Sequence, residues 1–106
     1  MESIQNRSAI WDMHIHTCDC PKGSNEFVKM NREKYIERII EIFESNSDLE
    51  LFSFTDHNQI SIEVYREYIK QNGKTNFLVG VEQDVIFDPE DDPDAKHLLI
   101  YFALFK

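Results

Sequence analysis

The sequence predicts an α/β protein whose strands run largely parallel and alternate with helices. Three features predict it. Apolar residues change their spacing along the chain, from every second position to the three-and-four spacing of a helix and back again. Turn-forming residues separate these segments. The side chains best suited to metals stand at or just past the carboxyl ends of the strand-type runs, where sheets of this class assemble their sites.

Taken in order, "SAIWDMHIH" (8–16) sets Ile10, Asp12, His14 and His16 against Trp11, Met13 and Ile15, the alternation of a strand. Pro21, Gly23 and Ser24 mark the loop that follows. In "NREKYIERIIEIFESNSD", Ile36, Ile39, Ile40 and Phe43 fall on one helical face, and Asn31 is placed to cap its start. "LELFSFTDHN" reads as a buried strand with a polar tip. "SIEVYREYIKQNG" reads as a second helix, with Ile62, Tyr65 and Ile69 on its apolar side and Gly73 ending it. "NFLVGVEQDVIF" is a third strand, interrupted at Gly80. "DPEDDPDAK" is an acidic connector that lacks the glycine and terminal glutamate of a calcium-binding EF-hand loop. "HLLIYFAL" is a last strand. The aromatics Phe52, Phe54, Tyr65, Tyr68, Phe102 and Phe105 lie at core spacing.

Composition narrows the function. The chain has 106 residues, 42% hydrophobic and 29% charged, which fits one small globular domain. Its formal charge is -9, from 20 acidic against 11 basic residues. Such a surface repels phosphate backbones, which argues against nonspecific nucleic-acid binding and requires cations wherever an anion is held. No apolar run approaches the ~20 residues of a membrane span, and the first residues lack a secretory signal, so the expected compartment is the cytoplasm, with both cysteines reduced.

The "HIH" pair carries the first chemical signal. Residues i and i+2 of a strand share a face, with roughly 6–7 Å between their Cα atoms, so His14 and His16 can chelate one ion. A bare pair on an edge strand would serve equally as surface residues. Asp12 shares that face and could orient an imidazole. In "FTDHN", His57 would be a ligand with Asp56 as its orienter; Asp56 and Asn58 could equally cap the next helix. Glu82, ending the third strand, has two oxygens and can bridge two cations. Gly80 beside it would let a backbone or ligand approach closely. His97 opens the last strand as a further donor.

In this order "DMHIHT", "FTDHN", "GVE" and "HLLIYF" resemble the first three motifs of the PHP family, the polymerase and histidinol phosphatase superfamily of metal-dependent phosphoesterases, over about Trp11 to Phe102. "IWDMHIHT" and "KHLLIYF" most resemble PHP domains placed ahead of AAA- or SMC-like ATPases. The resemblance implies a distorted seven-stranded β/α barrel, of which residues 8–106 would be the amino-terminal portion and 1–7 an extension. It implies two or three divalent ions (Zn, Mn or Fe): His14 and His16 on one, Glu82 bridging to a second, His97 on that second, and His57 on a third. It implies hydrolysis of a phosphorylated small molecule or nucleic-acid end by metal-bound hydroxide, since no side chain here is an evident nucleophile.

The departures are also informative. Many family members carry a third-ion aspartate or histidine where this chain has Pro21 and Lys22. Asp19, Cys18 or Cys20 could substitute, or the Cys-x-Cys could be two free thiols; Lys22 could contact a substrate phosphate. The family's later histidine and final Asp-x-His are absent, so the chain is expected to belong to a longer polypeptide, with a possible ATPase domain, and to be inactive alone. Two rivals stand beside this reading. One is a PHP-like module that binds metal or a partner without catalysis. The other is an amidohydrolase-like enzyme, which explains the TDH and GxE signals poorly.

Overall fold

The computed structural model describes residues 9–21, 31–86, 90 and 96–102. The 1–7 extension, Lys22, most of the acidic connector and Phe105 lie outside the described residues. The chain is mixed α/β: β1 (Ile10–Ile15), α1 (Arg32–Glu44), β2 (Leu49–Phe54), α2 (Ile62–Lys70), β3 (Asn76–Phe77), β4 (Val79–Val85) and β5 (Lys96–Phe102). β1, β2 and β3 form a parallel sheet in that order, whereas β4 and β5 pair antiparallel. Among the described residues no helix is long and apolar enough to cross a membrane.

α1 starts where the sequence places it. The Asn31 side chain accepts a hydrogen bond from the Lys34 amide at 2.8 Å, satisfying one of the orphan donors of the first turn. Tyr35, Ile36, Ile39 and Phe43 then face inward. They meet Phe52 and Phe54 of β2, with the Phe43 and Phe52 rings 4.7 Å apart. Phe52 is the hub, also meeting Tyr68 at 5.0 Å and Phe77 at 5.7 Å, spacings at which aromatic edges and faces attract.

α2 turns a different face to the core than its isoleucines suggest. Val64, Tyr65 and Tyr68 are buried, while Ile62 and Ile69 are exposed, Ile69 by 60%. The large tyrosines fill the space over β2 and β3, where Tyr65 and Phe77 stack at 5.0 Å. The helix ends through Asn72 rather than Gly73. Asn72 takes a left-handed φ of 61°, its amide donates to Ile69 O at 3.0 Å, and Gly73 N donates to Tyr68 O at 3.1 Å. This is a Schellman ending. Gly73 is required for space, since a Cβ there would fall inside the Tyr68 ring.

The third strand-type run splits at Leu78, not at Gly80. Asn76–Phe77 pairs with β2, and the chain then leaves that ladder to pair with β5. Tyr65 marks the reason. Its buried hydroxyl accepts from Phe54 N (2.9 Å) and Gly80 N (3.2 Å), and its one proton serves Phe54 O (2.8 Å) or Leu78 O (3.2 Å). A side chain thus serves backbone groups where the β2–β3 ladder ends. Gly80 lies inside β4 under a crowd: a Cβ would stand 2.5 Å from Ser53 Oγ and 2.9 Å from Thr55 Cγ2. The three atoms nearest to such a Cβ all belong to side chains. Phe52, Phe54, Tyr65 and Tyr68 are core as expected, but Phe102 is exposed.

Candidate metal centre

The carboxyl ends of β1 and β2 meet β4 at its middle, where Glu82 lies inside the strand rather than ending it as expected. Thr55 N donates to Ile15 O at 2.8 Å, joining the ends of β1 and β2. Past β2, Glu82 N donates to Asp56 O at 3.0 Å and Asn58 N donates to Glu82 O at 2.8 Å, a parallel bridge that sets His57 beside Glu82. Tyr101 OH donates to Met13 O, tying β5 to β1.

Glu82 is only 3% exposed and sits at the centre. Its two oxygens divide four imidazoles into two pairs. Oε1 lies 2.5 Å from His14 Nε2 and 3.4 Å from His16 Nε2. Oε2 lies 2.7 Å from His57 Nδ1 and 3.2 Å from His97 Nδ1. The His14 and His16 Nε2 atoms are 3.2 Å apart, close to the roughly 3.3 Å between two nitrogens on one tetrahedral zinc at 2.0–2.1 Å.

Four protonated rings around one carboxylate would repel one another, whereas a neutral ring can donate through one nitrogen only, so the tautomers decide which of these contacts are hydrogen bonds. Among the described residues His57 Nδ1 has no hydrogen-bond partner and is sealed from solvent, although Glu82 Oε2 is 2.7 Å away. A divalent cation between the donors is one arrangement that would satisfy the rings and the carboxylate together. Burial would push the Glu82 carboxyl up, but the His57, His14 and His16 rings outweigh it and hold it below its ordinary value.

Among the described residues, three donor groups have their ligand atoms within 4.8 Å of one another: His14, His16 and Glu82; His57, Glu82, Asp84 and His97; and His16, Cys20 and His57. The first two share Glu82. The resemblance puts His57 on a third ion, yet its Nδ1 faces the oxygen that also meets His97. Asp84 is a donor that the sequence reading missed. Its Oδ1 is 3.1 Å from His97 Nδ1, and Asn58 fixes it, with Asn58 Nδ2 donating to Asp84 Oδ2 at 3.1 Å and Asp84 N donating to Asn58 Oδ1 at 2.9 Å. Asn58 does so from a left-handed φ of 57°, a conformation asparagine tolerates. The signal was present: Glu82 and Asp84 are i and i+2 on one strand face.

The two expected orienting carboxylates sit elsewhere. Asp12 is exposed on β1. Asp56 is fully buried but turns to the loop after β1: it accepts from Thr17 N at 2.6 Å, from Thr17 Oγ1 at 2.5 Å and from Ser61 Oγ. It therefore neither orients an imidazole nor caps α2. Ser61 occupies the N-cap position, with its hydroxyl drawn to Asp56 instead of to the helix amides. Both cysteines are free. Burial, reinforced by the Asp19 carboxylate, pushes the Cys18 thiol up to about 12.

Fold and site together define a mixed α/β protein with side-chain clusters that could hold metal ions. Comparison of the chain with protein-family models, with curated proteins and with solved structures gave no match.

Proposed function

We propose that this chain carries the metal site of a PHP-type phosphoesterase, and that its parallel sheet is the first part of a distorted seven-stranded β/α barrel. One observation carries the reading: a single buried glutamate offers each of its two oxygens to a separate pair of imidazoles. A carboxylate so placed is suited to bridging two cations.

The residues divide the work. His14 and His16 supply neutral nitrogen donors from one strand face, and the Tyr35 hydroxyl holds the turn beneath them by donating to His16 O at 3.2 Å. Glu82, His97 and Asp84 supply the second group, richer in oxygen and so better matched to manganese or iron. Divalent cations bound there supply Lewis acidity toward a phosphoryl oxygen and ease the ionisation of water. They also offset the net charge of -9, which otherwise repels an anionic substrate. His14 and His97 are exposed, leaving an approach for a phosphate ester from the solvent side.

The test uses the longest reading frame that contains this chain. Zinc, manganese or iron is expected to copurify, and chelator-sensitive hydrolysis of bis-p-nitrophenyl phosphate or p-nitrophenyl phosphate is expected. The double variant His14→Ala/His16→Ala should lose more than about 100-fold in rate, beyond the usual cost of removing an outer-shell partner. Metal without turnover of either ester would instead identify a metal-binding module. Absence of metal would overturn the reading altogether.

A further inference from the structure

Asn58 follows β2 by a few residues, yet it does not cap the next helix, whose N-cap position belongs to Ser61. Its side chain turns to β4 instead, and hydrogen bonds converge on this one exposed residue. Asn58 N donates to Glu82 O at 2.8 Å, and Nδ2 donates to Asp84 Oδ2 at 3.1 Å. Oδ1 accepts from Asp84 N at 2.9 Å and from Gln83 Nε2 at 3.1 Å. The backbone holds this pose at a left-handed φ of 57°, where few residues besides glycine, asparagine and aspartate settle.

Hydrogen bonds at an exposed site add little to stability, because water replaces them when they break. Their consequence lies in Asp84. With Oδ2 engaged by the Asn58 amide, Oδ1 is the oxygen beside His97 Nδ1, at 3.1 Å. Glu82 Oε2 meets the same nitrogen at 3.2 Å. One oxygen from each carboxylate and one imidazole nitrogen are thereby gathered together. Calcium takes about 6–8 oxygen ligands and commonly uses both oxygens of a carboxylate. A nitrogen donor beside a carboxylate limited to one oxygen suits a smaller transition-metal ion better.

We infer that Asn58, by occupying Asp84 Oδ2, limits Asp84 to one oxygen at the cation position it shares with Glu82 and His97, and so selects a transition-metal ion over calcium. The inference rests on the reading that these residues hold a cation, and adds a specificity-determining residue that binds no metal itself. Asn58 acts through Asp84, as partners behind metal ligands do when they fix a ligand's orientation.

Manganese bound to the metal-free protein, with calcium added as competitor, tests this through the electron paramagnetic resonance signal of free manganese. Asn58→Gly keeps the left-handed backbone without strain and removes the amide. Calcium should displace manganese from this variant at least about tenfold more readily than from the wild type, the low end of the effect of removing a partner behind a metal ligand. Asn58→Asp keeps the acceptor for Asp84 N but loses the donor, and should shift in the same direction. In a His97→Ala background, zinc affinity at the His14–His16 pair should be the same with and without Asn58→Gly. A loss of zinc affinity there would mean a general disturbance of the rim and contradict the selective role. An unchanged manganese-to-calcium ratio in either variant would overturn the role of Asn58 while leaving the proposed function standing. Manganese binding without turnover of any phosphate ester would remove the phosphoesterase reading and leave this inference intact. No manganese binding by the wild type would overturn both.

Discussion

The two sides of Glu82 are built unlike each other. On one side, β1 and β2 run parallel against α1 and α2, and the loop after β1 is fastened to the fully buried Asp56. On the other, β4 reaches the core through Val79 and the backbone bridge to Asp56 and Asn58, while its antiparallel partner β5 leaves Leu98, Phe102 and His97 exposed and is tied to β1 by the Tyr101 hydroxyl. His14 and His16 thus inherit their positions from a packed core, while His97 and Asp84 depend on a few hydrogen bonds. Rigidity of that first kind is costly to break and shows in stability. Rigidity of the second kind should show in ligand affinity before it shows in stability.

Substitutions can break or sharpen this contrast. Asp56→Ala should have the largest effect, because it strands a buried amide and two hydroxyls at once. A loss of about 3 kcal/mol is expected from the cost of unsatisfied buried donors, read as a lower urea midpoint of the metal-free chain. Gly80→Ala comes next, at about 1–3 kcal/mol for overpacking against the buried Ser53 and Thr55. It tests whether β4 can move away from β2. If stability were unchanged, the two sheets would be more loosely joined than described here.

Tyr101→Phe should cost only about 1 kcal/mol of stability, the usual net value of one hydrogen bond. Its signature is selective: cation binding on the His97–Asp84 side weakens while binding on the His14–His16 side stays the same. Equal weakening of both would show that β1 and β5 are not separately anchored. The smallest effect is expected at Ile69→Lys, within about ±0.5 kcal/mol for an exposed site, against roughly 2 kcal/mol for Val64→Ala in the core. Reversal of that order would restore the helix face that the isoleucine spacing suggested.

Much of the rim was legible because pleating is regular. His14 and His16 two apart, Glu82 in the third strand-type run and His97 opening the last needed only strand geometry and donor chemistry to be grouped, although Glu82 lies inside β4 and not at its end. α1 was legible because its apolar face and its cap agree. What stayed hidden depended on partners distant in the chain. Nothing local tells that Asp56 will serve Thr17 rather than an imidazole, or that Tyr65 will reach between β2 and β4 and end one ladder at Leu78. The face of α2 was misread because its isoleucines are exposed while two tyrosines, each with a polar end needing a partner, are buried. Asp84 was overlooked although its spacing from Glu82 repeats that of the HIH pair, since a carboxylate near an acidic connector resembles ordinary surface.

Calorimetric titration of the metal-free chain with zinc or manganese, comparing wild type, His14→Ala, His97→Ala and Glu82→Gln, addresses the shared glutamate most directly. If its two oxygens serve two ions, each histidine variant weakens one binding event and Glu82→Gln weakens both. Wild-type affinities in Glu82→Gln would contradict the account, as would loss of only one event.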